Sequence, residues 1–120
     1  MNSILLVVTS DAEYQSQFEA IAGEYLIDCH FASFGEHLSD LVKRMNPFLL
    51  VVDFSIDNQN WIIKHLSEIK GSRPAFPIIG IISGDSEAEE LRMQKIGCDH
   101  VFPRERFLKK AGGLIERYLR

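Results

Sequence analysis

One stretch near the middle of the chain limits the possible folds more than any other. Residues 48–57 read FLLVVDFSID. Five apolar residues in succession, ending in the β-branched pair Val51 and Val52, are typical of a strand buried on both faces of a parallel sheet. Asp53 ends this run, and open α/β sheets bind their ligands beside the carboxyl ends of the strands. We therefore take Asp53 as a candidate functional residue, although it could instead only end the strand and cap the next segment.

The rest of the chain alternates between apolar strands and amphipathic helices. Besides the central strand, the apolar runs predict strands at residues 3–8, 25–32, 78–82 and 100–102. Five helical patterns follow the strands, and the last covers residues 106–119. Sequence signals mark the ends of three of the other helices. The first helix is marked by Ser10 with Glu13 and by Gly23, the second by Ser33 with Glu36 and by Pro47, and the fourth by Asp85 or Ser86 and by Gly97.

This alternation predicts one α/β domain over residues 1–120. Right-handed crossovers place helices on both faces of a parallel sheet. We expect a flavodoxin-like (βα)5 three-layer sandwich with the strand order 2-1-3-4-5, whose switch point lies between the first and third strands. In that topology the residues just past four strands meet in one crevice: Thr9, Ser10 and Asp11; Asp53 and Ser55; Ile82 and Ser83; and Arg104.

Composition excludes several classes of function. The 120 residues carry a formal charge of −4, which argues against a nucleic-acid surface on this domain, because such surfaces need a basic excess. No apolar run approaches the roughly 20 residues that span a bilayer, so we expect a cytoplasmic protein without membrane contact.

Cys29 and Cys98 lie in no metal-binding spacing and are predicted to be buried thiols. We expect surface or edge positions for all four histidines, His30, His37, His65 and His100.

Taken together, the segments resemble the receiver domains of two-component response regulators, the CheY-like family. The similarity covers the whole chain and rests on ILLVV with the polar turn after it, FLLVVD, FPIIGIIS, the glycine of KIGCD, and FPR before the last helix. The resemblance implies that Asp53 is the phosphoacceptor, and that the domain is not itself an enzyme. It also implies a sensor histidine kinase or another signalling protein as the partner. In such domains Mg2+, an acidic pair, a hydroxyl and a lysine stabilise the charge on the transferred phosphoryl group.

The metal-binding part of this pattern is reduced. Thr9 and Ser10 stand where the family has its acidic pair. The remaining candidate ligands are Asp11, Asp53 and Ser55, and we expect weak Mg2+ binding, if any, because this hard ion is held largely by carboxylates.

The phosphate-contacting part is also altered. The hydroxyl position of the fourth strand is Ile82, with Ser83 next to it, and the lysine is replaced by Arg104. Arginine keeps the charge but presents it as a wide planar fork. The proline that normally follows is Glu105, and the switch aromatic falls on Val101.

Receiver domains usually meet partners through the fourth helix, fifth strand and fifth helix. The resemblance therefore makes this surface a candidate for partner contact or for a homodimer. The candidate contact residues are Arg92, Val101, Phe102 and Tyr118.

Three functions remain open at this point. The first is an atypical receiver of a two-component or phosphorelay pathway with Asp53 as the potential phosphoacceptor. The second is a pseudo-receiver that acts as a protein–protein interaction module without phosphorylation, in which Arg104 pairs with Asp53 and holds one fixed state. The third is a nucleotide- or flavin-binding domain that uses the Thr9–Ser10 turn, although no glycine-rich loop supports it.

Overall fold

The chain folds around a five-stranded parallel sheet with the strand order β2-β1-β3-β4-β5. The computed structural model describes residues 3–32, 37–54, 59–84 and 86–119, apart from the side chain of Gln59. The strands are β1 (Ile4–Val8), β2 (Asp28–Phe31), β3 (Leu49–Asp53), β4 (Ile78–Ile82) and β5 (His100–Pro103). The helices are α1 (Ala12–Glu24), α2 (Leu38–Met45), α3 (Gln59–Ser72), α4 (Glu87–Lys95) and α5 (Arg104–Leu119). The predicted flavodoxin-like architecture and strand order are confirmed.

Two hydrophobic clusters cover the two faces of the sheet. Along β3, Leu49 and Val51 pack into one cluster, whereas Leu50 and Val52 pack into the other, because successive strand residues point to opposite faces. Helices α1 and α5 supply the first cluster, and α2, α3 and α4 supply the second. Every residue of β3 and β4 is buried, as the unbroken apolar runs in the sequence predict.

The register brings the carboxyl ends of the central strands level with one another. Val8 lies opposite Val52, and Asp53 lies opposite Ile81. Ile82 in turn lies opposite Pro103. The segments that follow β1, β3, β4 and β5 therefore leave the sheet at one edge.

The second strand is shorter than predicted, and α1 is longer. Tyr25 is the C-cap of α1, and Leu26 adopts a left-handed conformation with φ of 56°. These two residues form the turn after the helix, so that β2 starts only at Asp28. Gly23 lies within the last turn of α1 and does not end it.

The first helix is capped by a different residue from the one predicted. Asp11, not Ser10, is the N-cap of α1, and its carboxylate accepts hydrogen bonds from the backbone N–H groups of Glu13 and Tyr14. For the fourth helix, Ser86 is the cap, with its hydroxyl accepting from the backbone of Glu89. The predicted capping box of Ser33 and Glu36 lies outside the described residues, as does Asp85.

The last helix begins at Arg104, two residues before the predicted start, and follows β5 directly. A residue that precedes proline is disfavoured in helical conformation. Because Glu105 occupies the position after Arg104, that restriction is lifted and the helix starts earlier.

None of the described helices combines the length and the apolar character that crossing a membrane requires. Both cysteines are free thiols, with Cys98 buried and Cys29 half-buried.

Candidate functional site

The last residue of β3 carries a carboxylate that is completely enclosed. Asp53 is 0% exposed, and two side chains donate hydrogen bonds to its Oδ2 atom. Thr9 Oγ1 donates over 2.9 Å and Arg104 Nη1 over 3.1 Å. A carboxylate this deeply buried is costly unless it is paired and hydrogen-bonded, and both conditions are met here.

Arg104 bridges two carboxylates at this edge of the sheet. Its Nη1 atom pairs with Asp53, while its Nη2 atom pairs with Asp11. The guanidinium carbon also lies 4.3 Å from the centre of the Tyr14 ring, a distance at which cation–π attraction operates. The planar fork of arginine can bond two acceptors through different nitrogens. The side chain is therefore held from several directions at the start of α5.

Asp11 and Thr9 are positioned by the first turn of α1. The pKa of Asp11 is lowered chiefly by the hydrogen bond from the backbone of Tyr14, with a further contribution from Arg104. Thr9 Oγ1 lies 3.3 Å from the backbone nitrogen of Asp11, whose N–H donates to it, and Gln15 Nε2 donates to the Thr9 carbonyl over 3.0 Å. The turn after β1 is thus held by hydrogen bonds to Asp53 and to the first turn of α1.

Magnesium does not fit this arrangement of the described residues. Mg2+ requires near-octahedral oxygen ligands and would need both Asp11 and Asp53. Both carboxylates already have Arg104 as their cation, and the Thr9 hydroxyl also donates to Asp53. Ser10 is exposed, and Ser55 lies outside the described residues. Arg104 therefore competes with a metal ion for the Oδ2 atoms of Asp11 and Asp53.

The other predicted site residues lie in varied surroundings. Ser83 is exposed just beyond the end of β4, whereas Ile82 belongs to the core. On the proposed contact surface Arg92 is exposed and Phe102 is half-buried. Val101 is only 7% exposed and packs in the core, because the pleat turns its side chain inward against the α4 side of the sheet.

The remaining predicted contact residue, Tyr118, joins α5 to β5. Its hydroxyl lies 2.6 Å from His100 Nε2, and its ring is half-buried.

Two features of the described residues were not predicted. Tyr14 lies under Arg104, although its spacing in α1 indicates only a core position. Burial raises the pKa of its phenol.

The second feature lies on α3, where His65 is 6% exposed, so the prediction that all histidines are at surface or edge positions is wrong. Together with His37 and Glu68, it forms a polar cluster between α2 and α3. The spacing of His65 and Glu68, three residues apart on one helix face, was the available signal.

Comparison with known proteins supports the fold. No family model matches the sequence, and no curated protein sequence matches it. Among solved structures, a response regulator from Hahella chejuensis superposes with a TM-score of 0.83 at 15% identity, over 98% of this chain and 95% of that one. A CheY-like protein from Pseudomonas aeruginosa gives 0.82 at 14%, covering 98% and 99%. The BeF3-activated receiver domain of RstA from Klebsiella pneumoniae gives 0.76 at 16%, covering 98% and 99%. The chain therefore has the fold of the CheY-like receiver domains of response regulators.

Proposed function

We propose that this chain is a cytoplasmic, non-enzymatic receiver-type signalling domain that acts through protein contacts without phosphorylation of Asp53. The single observation that carries this proposal is the arginine bridge, in which Arg104 pairs with both Asp53 and Asp11. The bridge supplies permanently the positive charge that a receiver otherwise gains from a metal ion and a lysine.

The chemistry of phosphoryl transfer explains why this bridge opposes phosphorylation. An attacking carboxylate oxygen must reach phosphorus in line, with positive charge around the three equatorial oxygens. Asp53 is enclosed, and its Oδ2 atom is occupied by Thr9 and Arg104. Its negative charge is partly offset by Arg104, which it shares with Asp11.

In this proposal the partner is a sensor histidine kinase or another signalling protein. The contact surface consists of α4, β5 and α5, where Arg92 is exposed and Phe102 and Tyr118 are half-buried. The same surface is the one through which two copies of the chain would form a homodimer.

Intact-mass measurement tests the proposal directly. The protein is incubated with Mg2+ and acetyl phosphate, and in parallel with Mg2+ and BeF3, the activating group named for the Klebsiella neighbour. We expect no added phosphoryl mass and no BeF3-dependent change in thermal stability. Phosphate on the wild type that is absent from Asp53→Asn would overturn the proposal.

Phosphorylation of Asp53 is the second candidate function. It is favoured by the position of Asp53 at the end of β3 and by an open cleft of about 320 Å3 that Asp11, Tyr14 and Arg104 line in part. Arg104 lines this cleft and also pairs with Asp53, which does not line it. A small phosphodonor entering this cleft would first have to displace the arginine bridge. Intact-mass labelling with acetyl phosphate distinguishes the two candidates.

Self-association provides a separate test of the contact surface. In sedimentation experiments, Asp53→Asn should leave the oligomeric state unchanged, whereas Tyr118→Ala should weaken any dimer. A dimer that responds to Asp53→Asn and not to Tyr118→Ala would contradict the proposed surface.

We do not propose nucleotide or flavin binding, because Thr9 is hydrogen-bonded to Asp53 and the nearby carboxylates would repel a phosphate.

A further inference from the structure

A group of side chains between α2 and α3 has the composition of a metal site and is separate from the Asp53 crevice. His37 is the N-cap of α2, and His65 and Glu68 lie three residues apart on α3. Each side chain offers one ligand atom, and these atoms all lie within 4.8 Å of one another. Within the described ranges, no other set of three histidine, cysteine or acidic side chains meets this condition.

One member of this group has a buried atom without a hydrogen-bond partner. His65 is 6% exposed, and within the described part of the chain its Nδ1 atom has no hydrogen-bond partner. This nitrogen lies 3.9 Å from Glu68 Oε2, too far for a hydrogen bond but on the side of the other ligands. Buried polar atoms are nearly always satisfied by protein, water or an ion. The unsatisfied nitrogen is therefore available to a ligand on the side of His37 and Glu68.

Neighbouring side chains hold the other two ligands in place. Ser39 Oγ donates to Glu68 Oε2 over 2.8 Å and lies 3.0 Å from His37 Nδ1. Asp40 Oδ2 lies 3.3 Å from the same nitrogen of His37. Hydrogen-bonded neighbours of this kind orient metal ligands and increase their affinity.

We propose that His37, His65 and Glu68 form a binding site for a divalent transition-metal ion, with Zn2+ as the best match, which links the start of α2 to α3. Two imidazoles and one carboxylate suit zinc and disfavour Mg2+ or Ca2+, which prefer oxygen ligands alone. This inference is independent of the proposed signalling function.

The site can close around an ion with small movements. Ligand atoms around tetrahedral zinc, with bonds of about 2.0 to 2.1 Å, are about 3.4 Å apart, so the observed spacing must contract modestly. The side chains of His37 and Glu68 are 57% and 43% exposed and can move, whereas His65 is fixed in the core. Their exposure also leaves room for water as a fourth ligand.

Trp61 provides a built-in reporter. It is the only tryptophan in the chain, and the centre of its ring lies 5.3 Å from that of His65. Binding of open-shell Cu2+ at His65 should quench its fluorescence. Because such sites bind Cu2+ more tightly than Zn2+, an excess of Zn2+ should compete for the site and restore the fluorescence.

The test uses untagged protein that has been stripped of metal with a chelator. We expect saturable binding of one Zn2+ per chain in calorimetry, a higher melting temperature with Zn2+, and no recovery of the Cu2+-quenched Trp61 fluorescence when Mg2+ or Ca2+ is added in place of Zn2+. His37→Ala and Glu68→Gln, both at exposed positions where folding should be unaffected, should each weaken zinc binding at least tenfold.

His30→Gln is the matched control, because His30 Nε2 is also buried without a partner but His30 belongs to no such ligand group among the described residues. This variant should bind zinc within twofold of the wild type. Absence of one-to-one zinc binding by the wild type would overturn the proposal, and so would unchanged affinity in His37→Ala and Glu68→Gln, or equal weakening by His30→Gln.

Discussion

The fold contains two polar clusters, each with a buried ionisable side chain. The two side chains differ in whether their polar atoms have hydrogen-bond partners. In the crevice, Asp53 is enclosed by a hydroxyl and a guanidinium that satisfy it. Between α2 and α3, His65 is almost as deeply buried but its Nδ1 atom is unsatisfied by the described residues. The Asp53 carboxylate therefore has protein partners for its charge, whereas the His65 Nδ1 atom has none among the described residues.

Removing the cation of the crevice should have the largest effect. Arg104→Met leaves the buried charge of Asp53 without its partner, and we expect a loss of about 3 kcal/mol in the free energy of unfolding. Urea unfolding at neutral pH measures this loss. The double variant Asp53→Asn/Arg104→Met should recover part of it, because the two residues act as a pair. A loss below about 0.5 kcal/mol, the range of ordinary surface substitutions, would mean that the bridge does not support Asp53.

Removing one hydrogen bond from the same cluster should have a smaller effect. Thr9→Val keeps the shape of the side chain but loses the hydroxyl that donates to Asp53, and we expect a loss of about 1 kcal/mol by urea unfolding. Ser10→Ala is the control, because Ser10 is exposed and Asp11 is the helix cap. Equal losses in the two variants would contradict the assigned roles.

The matching change in the open cluster should be nearly neutral. His65→Leu removes a polar group that has no hydrogen-bond partner at Nδ1 among the described residues and keeps an apolar side chain in the core. We therefore expect a change within about 0.5 kcal/mol of zero in metal-free protein. The same variant should lose the stabilisation by Zn2+. A destabilisation of more than about 2 kcal/mol, similar to a broken network, would show that the two clusters are not different in kind.

The cysteines should take no part in either cluster. Burial raises the pKa of Cys98 to about 12 and that of Cys29 also to about 12, so both thiols are protonated at roughly pH 8 and react slowly. A disulfide reagent should label native protein slowly and urea-unfolded protein rapidly, and Zn2+ should not change the native rate. Fast native labelling that Zn2+ suppresses would indicate thiolate ligands and weaken the assignment of zinc to the histidines.

The strands of the sheet could be predicted from the sequence because strands buried on both faces must consist of apolar residues, and such runs are easy to see. The runs at β3 and β4 read as strands with both faces covered, and the alternation of elements led to the strand order. The pairing of Arg104 with Asp53 was among the alternatives that the sequence left open. It could not be chosen in advance because the start of α5 depends on the backbone around Glu105.

His65 shows a different kind of failure. It lies three residues after Ile62 and four before Ile69, within the buried stripe of α3, so its helical spacing indicates burial. The prediction followed the polar character of histidine and overlooked this spacing. The position of His37 beside it depends on how α2 packs against α3, which periodicity within one helix cannot reveal.

Because β5 leads directly into α5, Arg104 connects the start of this helix to the Asp53 crevice. No loop separates β5 from α5. The ion pairs of the Arg104 guanidinium with Asp53 and Asp11 therefore also hold the first turn of α5 in place. A partner that pulls on α5 and unwinds this turn would withdraw the cation from the crevice. The first turn of α5 and the charge balance around Asp53 are therefore mechanically coupled through one side chain.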